Sequence, residues 1–179
     1  MDKHVLEPFI KKEDIAVKVK ELGEKITRDF KGEKVLLVGV LKGAWMFLSD
    51  LSKNIDLDVE ISFISVSSYV GEKTTTSGVV RLMCDIDRPL EGKNLILVED
   101  IVDTGLTLNY LKKLLSVRKP KSISICTLLD KPSRRVAPIN PDYSAFEIPD
   151  EFVVGYGLDF NNRYRNLPEI YKLIISEDN

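Results

Sequence analysis

The stretch Leu95-Ile96-Leu97-Val98-Glu99-Asp100-Ile101-Val102-Asp103-Thr104-Gly105-Leu106-Thr107 decides the fold. An apolar run leads into two adjacent carboxylates, a third carboxylate, and then Thr-Gly-x-Thr. Asn94 to Val98 has the composition of a strand buried on both faces. Leu108, Leu111, Leu114 and Leu115 follow as a helix, closed by Lys119-Pro120. Thr104 to Thr107 therefore opens a helix, where unpaired backbone N–H groups carry partial positive charge and hold phosphate. Gly105 lets the backbone come close to the anion, and Thr104 and Thr107 add hydroxyl donors. Glu99 and Asp100, placed at the strand tip, suit the vicinal hydroxyls of a ribose, or a cation. So many acids beside a phosphate would otherwise repel it. Simple capping of the next helix accounts for Asp103 or Thr104 taken singly, but not for the whole combination. The residues from Leu95 to Leu115 thus predict a pocket for a ribose 5-phosphate group.

Upstream, Ile15, Val19, Leu22, Ile26 and Phe30 recur at three- and four-residue spacing, one face of an amphipathic helix over Lys12 to Phe30, with Gly32 beyond its end. Lys34 to Val40 reads as a strand buried on both faces. Leu41-Lys42-Gly43 follows as a loop, and Ala44 to Lys53 as a helix. Leu57, Val59, Ile61 and Phe63 alternate with polar residues, the pattern of a strand with one wet face. Ser67 to Ser77, followed by Gly78, is polar and without apolar periodicity, and predicts an exposed mobile loop. Val79 to Met83 is a candidate return strand. Downstream, Ser122 to Leu129 is another buried strand, and Phe152 to Gly155 and Tyr171 to Ile175 are shorter candidates. Strands alternating with helices predict an α/β fold built on a parallel sheet. Ligands of such sheets bind at the carboxyl ends of the strands, so the loops after Val40, Val98 and Leu129 are where chemistry belongs.

Composition narrows the function. With 179 residues, 44% hydrophobic and 30% charged, the chain has the make-up of one globular domain. A formal net charge of −2 argues against a protein that lives on nucleic-acid phosphates, although a local basic cluster runs from Lys131 to Arg135. One histidine, His4, and two distant cysteines, Cys84 and Cys126, are too few for a zinc site and read as thiols of a reducing compartment. The charged N-terminus does not resemble a signal peptide, and no apolar run reaches the ~18 residues of a membrane span. The expectation is a cytoplasmic protein with no membrane and no nucleic-acid partner.

The Glu99–Thr107 segment resembles the signature of the phosphoribosyltransferase family, and the resemblance extends over most of the chain. It implies a type I phosphoribosyltransferase-like α/β fold: a mainly parallel twisted sheet flanked by helices, with a small hood built from N- and C-terminal segments. Residues 1–179 would form one such domain, with a mobile loop at about 67–80 and a base-recognition hood at about 131–179. Leu41-Lys42-Gly43 is similar to the family's pyrophosphate loop, in which a non-proline cis peptide at Leu41-Lys42 is often found. Ser68 and Tyr69 resemble the start of the catalytic loop that closes over pyrophosphate. Lys131 matches the base-recognising lysine of the purine branch. Phe152-Val153-Val154-Gly155-Tyr156-Gly157-Leu158-Asp159, followed by Arg165, resembles the base-stacking and metal segment of hypoxanthine phosphoribosyltransferases. Phe160 departs from the tyrosine common there.

The resemblance implies purine salvage: a 5-phosphoribosyl group passes from phosphoribosyl pyrophosphate to hypoxanthine or guanine, giving IMP or GMP and pyrophosphate. Glu99, Asp100, Asp103, Thr104, Gly105, Leu106 and Thr107 would hold the ribose 5-phosphate, and Leu41, Lys42, Gly43 and Arg165 the pyrophosphate. Lys131, Phe152, Val153 and Asp159 would hold the purine. Asp103 would take the proton of the purine N7, with Lys131, Ser68 and Tyr69 completing the catalytic set. Mg2+ is the implied cofactor, with Glu99, Asp100 and Asp159 as its candidate ligands, and a homodimer or homotetramer is the implied assembly. Other readings stay open on the residues alone. Lys131 could be a solvated loop lysine, Phe152 and Val153 plain core, Tyr156-Gly157 a turn, and Arg165 part of a surface cluster with Arg163. A messenger-RNA-binding regulator or a non-catalytic sensor of phosphoribosyl pyrophosphate could use the same fold.

Overall fold

A computed structural model describes residues 3–68 and 80–176. The elements are β1 (Lys3–Ile10), α1 (Lys12–Asp29), β2 (Lys34–Leu41), α2 (Trp45–Lys53), β3 (Asp58–Ser68), β4 (Val80–Cys84), β5 (Asn94–Val102), α3 (Leu106–Ser116), β6 (Ser122–Asp130), β7 (Tyr143–Glu147), β8 (Val153–Val154) and β9 (Ile170–Ser176). Six strands form the main sheet in the order β4-β3-β2-β5-β6-β7. β2, β3, β5, β6 and β7 are parallel, and β4 returns antiparallel along β3.

The sheet is a two-faced core because strand side chains alternate. Val35, Leu37, Ile96 and Val98 meet Ile15, Val19 and Ile26 of α1 and Phe47, Leu48 and Leu51 of α2 on one face. Leu36, Val38, Leu95 and Leu97 meet Leu108, Leu111 and Leu115 of α3 on the other. This explains the unbroken apolar runs at β2 and β5: covered on both sides, a central strand has no wet position to spend on a polar residue. Its functional residues are therefore pushed to its carboxyl end. A second, three-stranded antiparallel sheet, β1-β9-β8, forms the hood from the N- and C-terminal segments.

Several expectations are corrected. β5 runs on to Val102, so Glu99 and Asp100 lie within the strand rather than at its tip, with Glu99 opposite Thr127 of β6. Pairing to β6 extends the strand past its apolar run. β3 likewise continues to Ser68, so the polar segment begins as strand; the expected return strand is present as Val80–Cys84, with residue 79 outside the described residues. β1 and β7 are strands that periodicity does not announce. β1 contains Pro8 and a register irregularity there, and it pairs with β9 alone. Proline is tolerated on such an edge strand, but it hides the strand from a reading by composition. β7 is a five-residue edge strand without a long apolar run. Residues 69–79, on which most of the predicted loop falls, lie outside the described residues. Among the described residues no helix is long and apolar enough to cross a membrane.

Candidate active site

The carboxyl ends of β2, β5 and β6 open into two adjoining cavities. One, of about 280 Å³, is lined by Leu41, Glu99, Asp100, Asp103, Gly105 and Thr107 among others. The second, of about 500 Å³, is lined by Asp100, Asp103, Lys131, Phe152, Val153 and Asp159 among others. Asp100, Ile101 and Asp103 line both.

The loop between β5 and α3 has the geometry of an anion cradle. Gly105 has φ +75°, a left-handed conformation that favours glycine, and a Cβ there would come within 2.6 Å of Ile139. It lies at the N-cap of α3, so the first amides of that helix are unpaired at the cavity. Thr104 donates its backbone N–H to Asp103 Oδ1 at 2.5 Å, and its hydroxyl lies 3.3 Å from the same oxygen. Both bonds land on Oδ1 and hold the carboxylate of the exposed Asp103 in one orientation. Leu106 and Thr107 are exposed in the first turn of α3, and Thr107 reaches the cavity wall.

Glu99 and Asp100 are the electrostatic anomaly. Burial and then the charge of Asp100 push the Glu99 carboxyl well above the usual carboxylate range, with Asp103 adding to the effect. Burial raises Asp100 as well, although Arg165 acts against it. Their oxygens accept local backbone bonds, from the Asp100 and Ile101 amides at 3.3 and 2.8 Å. Among the described residues no group of three or more Cys, His, Asp and Glu side chains is placed to hold a metal by itself. Two adjacent carboxylates fit a different ion, a hard divalent cation that keeps several of its own waters.

The pyrophosphate-loop candidate sits against this pair. The Leu41-Lys42 peptide is cis. A Cβ on Gly43 would lie 1.6 Å from Asp100 Oδ2, so only glycine lets the loop lie on the acid. Lys42 is exposed, with its backbone carbonyl accepting from Trp45 N at 3.5 Å. The hood closes the arrangement from the other side, since a Cβ on Gly157 would lie 2.0 Å from the Gly43 carbonyl oxygen. Tyr156 ties the same hood loop to α2 through a 2.7 Å hydrogen bond to Asp50. The alternative of a mere turn at Tyr156-Gly157 leaves out this tether between hood and α2.

The base-side residues also converge. Lys131 is buried at the end of β6, donating to the Glu151 carbonyl at 2.5 Å, with Asp150 at 3.7 Å. Val153 is buried while Phe152 is 54% exposed, so the phenyl face is open to the second cavity. Asp159 accepts from Asn162 N at 2.7 Å and pairs with Arg165 at 2.7 Å. Arg165 also donates to the Gly157 carbonyl at 2.8 Å, so it reaches the site through the hood loop. Tyr69 lies outside the described residues, and of Ser68 only the place at the end of β3 is described.

Two features went unread in the sequence. Phe152 makes an edge-on contact with Phe160 at 5.6 Å between centroids, and Phe160 makes one with His4 at 5.0 Å, linking the N-terminal strand to the base-side aromatic. No pattern relates residues this far apart in the chain. Arg135, read as one member of a basic cluster, turns inward behind Asp103. Its only sequence signal is an arginine a few residues past a strand that ends in Asp130.

A family profile described as "Phosphoribosyl transferase domain" matches residues 10–161. A hypoxanthine-guanine phosphoribosyltransferase of Bacillus subtilis (strain 168) is 52% identical over 171 residues, covering 95% of this chain and 94% of that protein. A hypoxanthine phosphoribosyltransferase of Escherichia coli (strain K12) is 44% identical over 178 residues, covering 98% and 99%. The crystal structure of a hypoxanthine-guanine phosphoribosyltransferase from Bacillus anthracis superimposes with a TM-score of 0.89 at 47% identity, covering 96% of this chain and 99% of that one.

Proposed function

The chain belongs to the phosphoribosyl transferase family, and from that premise we propose how its residues carry the reaction. The enzyme serves purine salvage, transferring a phosphoribosyl group to hypoxanthine or guanine. The observation that carries the assignment of roles is the position of Asp103. Of the two acids that line the cavity of the phosphate loop and the cavity of Lys131 and Phe152 at once, it is the exposed one, while Asp100 lies against Gly43. A group between a sugar site and a base site is where a proton must leave the base as the glycosidic bond forms.

In this reading the amides from Gly105 to Thr107 and the Thr104 and Thr107 hydroxyls hold the 5-phosphate, and the ribose hydroxyls lie toward Glu99 and Asp100. Leu41, Lys42, Gly43 and Arg165 bind the departing pyrophosphate. The bond between the anomeric carbon and the pyrophosphate oxygen breaks, and the bond to the purine nitrogen forms. Positive charge develops on the sugar ring and negative charge on the leaving group, so fixed donors aimed at the pyrophosphate lower the barrier. Asp103 accepts the proton from the purine N7. Lys131 donates to the exocyclic 6-oxygen, which favours hypoxanthine and guanine over adenine, whose amino group cannot accept in that way. Phe152 stacks on the ring. Ser68 and Tyr69 begin the loop that shuts water out.

Family members generally need a divalent metal, and Mg2+ fits the Glu99–Asp100 pair, with Asp159 as a further candidate ligand. When bound it supplies charge neutralisation for the pyrophosphate. A cytoplasmic location suits the two free thiols, Cys84 and Cys126. Trp45, Ile61 and Phe63 expose 47, 41 and 40% of their surface, with Ile61 and Phe63 on one face of β3. They suit a homodimer or homotetramer, which sedimentation of the wild-type chain against Phe63→Lys would test. The RNA-binding reading is the weaker one, because Lys131 and the side chain of Arg135 face inward and Arg134 is paired with Asp150 at 3.2 Å.

The test is turnover with phosphoribosyl pyrophosphate, Mg2+ and each of hypoxanthine, guanine, xanthine, adenine and uracil, followed by ultraviolet absorbance. Activity with hypoxanthine or guanine should fall by about a hundredfold or more in Asp103→Asn. Asp103→Asn at wild-type rate would remove the proton-acceptor role.

A further inference from the structure

Behind the phosphate loop, the side chain of Arg135 is only 12% exposed. Its guanidinium reaches four acceptors. Nε donates to the Asp103 carbonyl at 3.0 Å, and Nη2 to the Val102 carbonyl at 3.5 Å and to the Asp130 carboxylate. Nη1 donates to the Ile139 carbonyl. The neighbouring backbone finishes the brace. Val136 N and Ala137 N donate to the Thr104 carbonyl at 3.0 and 2.9 Å, and Lys131 N to the Val102 carbonyl at 2.8 Å. The carbonyls of Val102, Asp103 and Thr104 are thus all held by residues 131–137.

This has a geometric consequence at the ligand. In a trans peptide the N–H points opposite to the C=O, and these peptides are trans. Anchoring the carbonyls of Asp103 and Thr104 at the rear turns the amides of Thr104 and Gly105 the other way, toward the carboxylate of Asp103 and the cavity. We infer that Arg135 is a positioning residue for the 5-phosphate, acting through the peptides of the phosphate loop without touching the ligand. The inference rests on the reading of that loop as the phosphate site.

Arginine suits the task because its planar fork carries five donors in fixed directions. Lysine can keep the pairing with Asp130 but cannot reach three carbonyls at once. Arg135→Lys therefore keeps the charge and loosens the peptides. The phosphate contribution is isolated by calorimetric titration with GMP and, separately, guanosine. Wild type should prefer GMP by about a hundredfold or more, as expected for several charge-assisted hydrogen bonds. In Arg135→Lys this preference should shrink by about tenfold, while guanosine affinity changes less than about twofold. A merely structural role for Arg135 would lower the melting temperature and leave the preference intact.

An unchanged preference in folded Arg135→Lys overturns the inference and leaves the phosphate site standing. A wild-type protein without preference for GMP removes the phosphate-site reading, and the inference with it. Should Arg135→Lys fail to fold, Asp130→Ala decides by the same ratio. It removes the carboxylate that holds one prong of the fork, so a shrinkage of about threefold supports the brace, and an unchanged ratio overturns it.

Discussion

The two edges of the main sheet carry acids of the same chemical kind under opposite electrostatic conditions. At the amino-terminal edge, Glu60 near the start of β3 pairs with Lys93 at 2.6 Å and Arg88 at 3.1 Å. Glu33 pairs with Lys121 and Asp85 with Arg118 at 2.7 and 2.6 Å. Their partners hold all three carboxyls below the usual range. At the carboxyl-terminal edge, Glu99 has burial and other acids for company, and is pushed the other way. The difference teaches where to look for function in an α/β fold. An acid that the protein itself has neutralised is part of the scaffold. A buried acid left unneutralised is one whose partner arrives from outside.

The largest effect should come from breaking the fit at the carboxyl-terminal edge. In Gly43→Ala the added methyl would overlap Asp100 Oδ2, since the gap is 1.6 Å. Loop and acid must separate, and displacement by about 1 Å at a reacting centre costs about a hundredfold. Steady-state kcat/KM should fall by about that factor. A rate within twofold of wild type would mean that loop and acid need not touch.

Glu99→Gln sharpens the comparison through stability. A carboxyl with a raised folded-state pKa binds its proton more tightly in the native protein than in the unfolded chain. Its stabilising contribution is complete below the ordinary value of 4.5 and is lost as pH rises through the raised folded value. Glutamine does not titrate. The variant should therefore gain on wild type as pH rises, reaching a melting temperature higher by about 2–4 °C at neutral pH in the absence of divalent metal. Turnover should drop at the same time. Equal melting temperatures across pH 4 to 8 would show that Glu99 carries no electrostatic cost.

Glu60→Gln is the mirror experiment. Its folded pKa is depressed, chiefly by the hydrogen bond from Lys93 and then by that from Arg88. The stability it contributes is present above 4.5 and is lost as pH falls through the depressed value. Solvent screens this partly exposed group, so the loss at neutral pH should stay below about 1 kcal/mol. It should fade under acid, and KM for both substrates should not move. A change in KM would break the division between scaffold edge and ligand edge.

How far the sequence reveals this division depends on how local each signal is. The central strands were legible because burial on two faces forces an unbroken apolar run, as in KVLLVGV and NLILV. The loop proposed to hold phosphate could be singled out because Asp103, Thr104, Gly105 and Thr107 are neighbours in the chain. β1 and β7 were not, since edge strands with one partner need no such run and tolerate Pro8. The brace at Arg135 and the tether from Tyr156 to Asp50 were hidden for a different reason. Each joins residues that local sequence patterns do not relate and that meet only in the folded protein. Pairing of Glu60 with Lys93 is hidden in the same way, so the sequence displays both sets of acids and not their difference.

The smallest effect belongs to the aromatic chain that runs from β1 to the base site. His4 meets Phe160 edge-on, Phe160 meets Phe152 edge-on, and His4 Nδ1 lies 3.3 Å from the Tyr164 hydroxyl. Phe160 is the middle member of this chain. Its ring supports Phe152 by its edge, and an edge-on aromatic contact is worth about 0.5–1.5 kcal/mol. Phe160→Tyr keeps the ring and that contact, so KM for hypoxanthine should change by less than about twofold. Phe160→Ala removes the support, and KM for the base should rise by about threefold to tenfold. KM for phosphoribosyl pyrophosphate should not follow, because Phe152 lines the base cavity and not the phosphate-loop cavity. A parallel rise in both constants would mean that the aromatic chain holds the hood as a whole, and that base and phosphate sites are not separately supported.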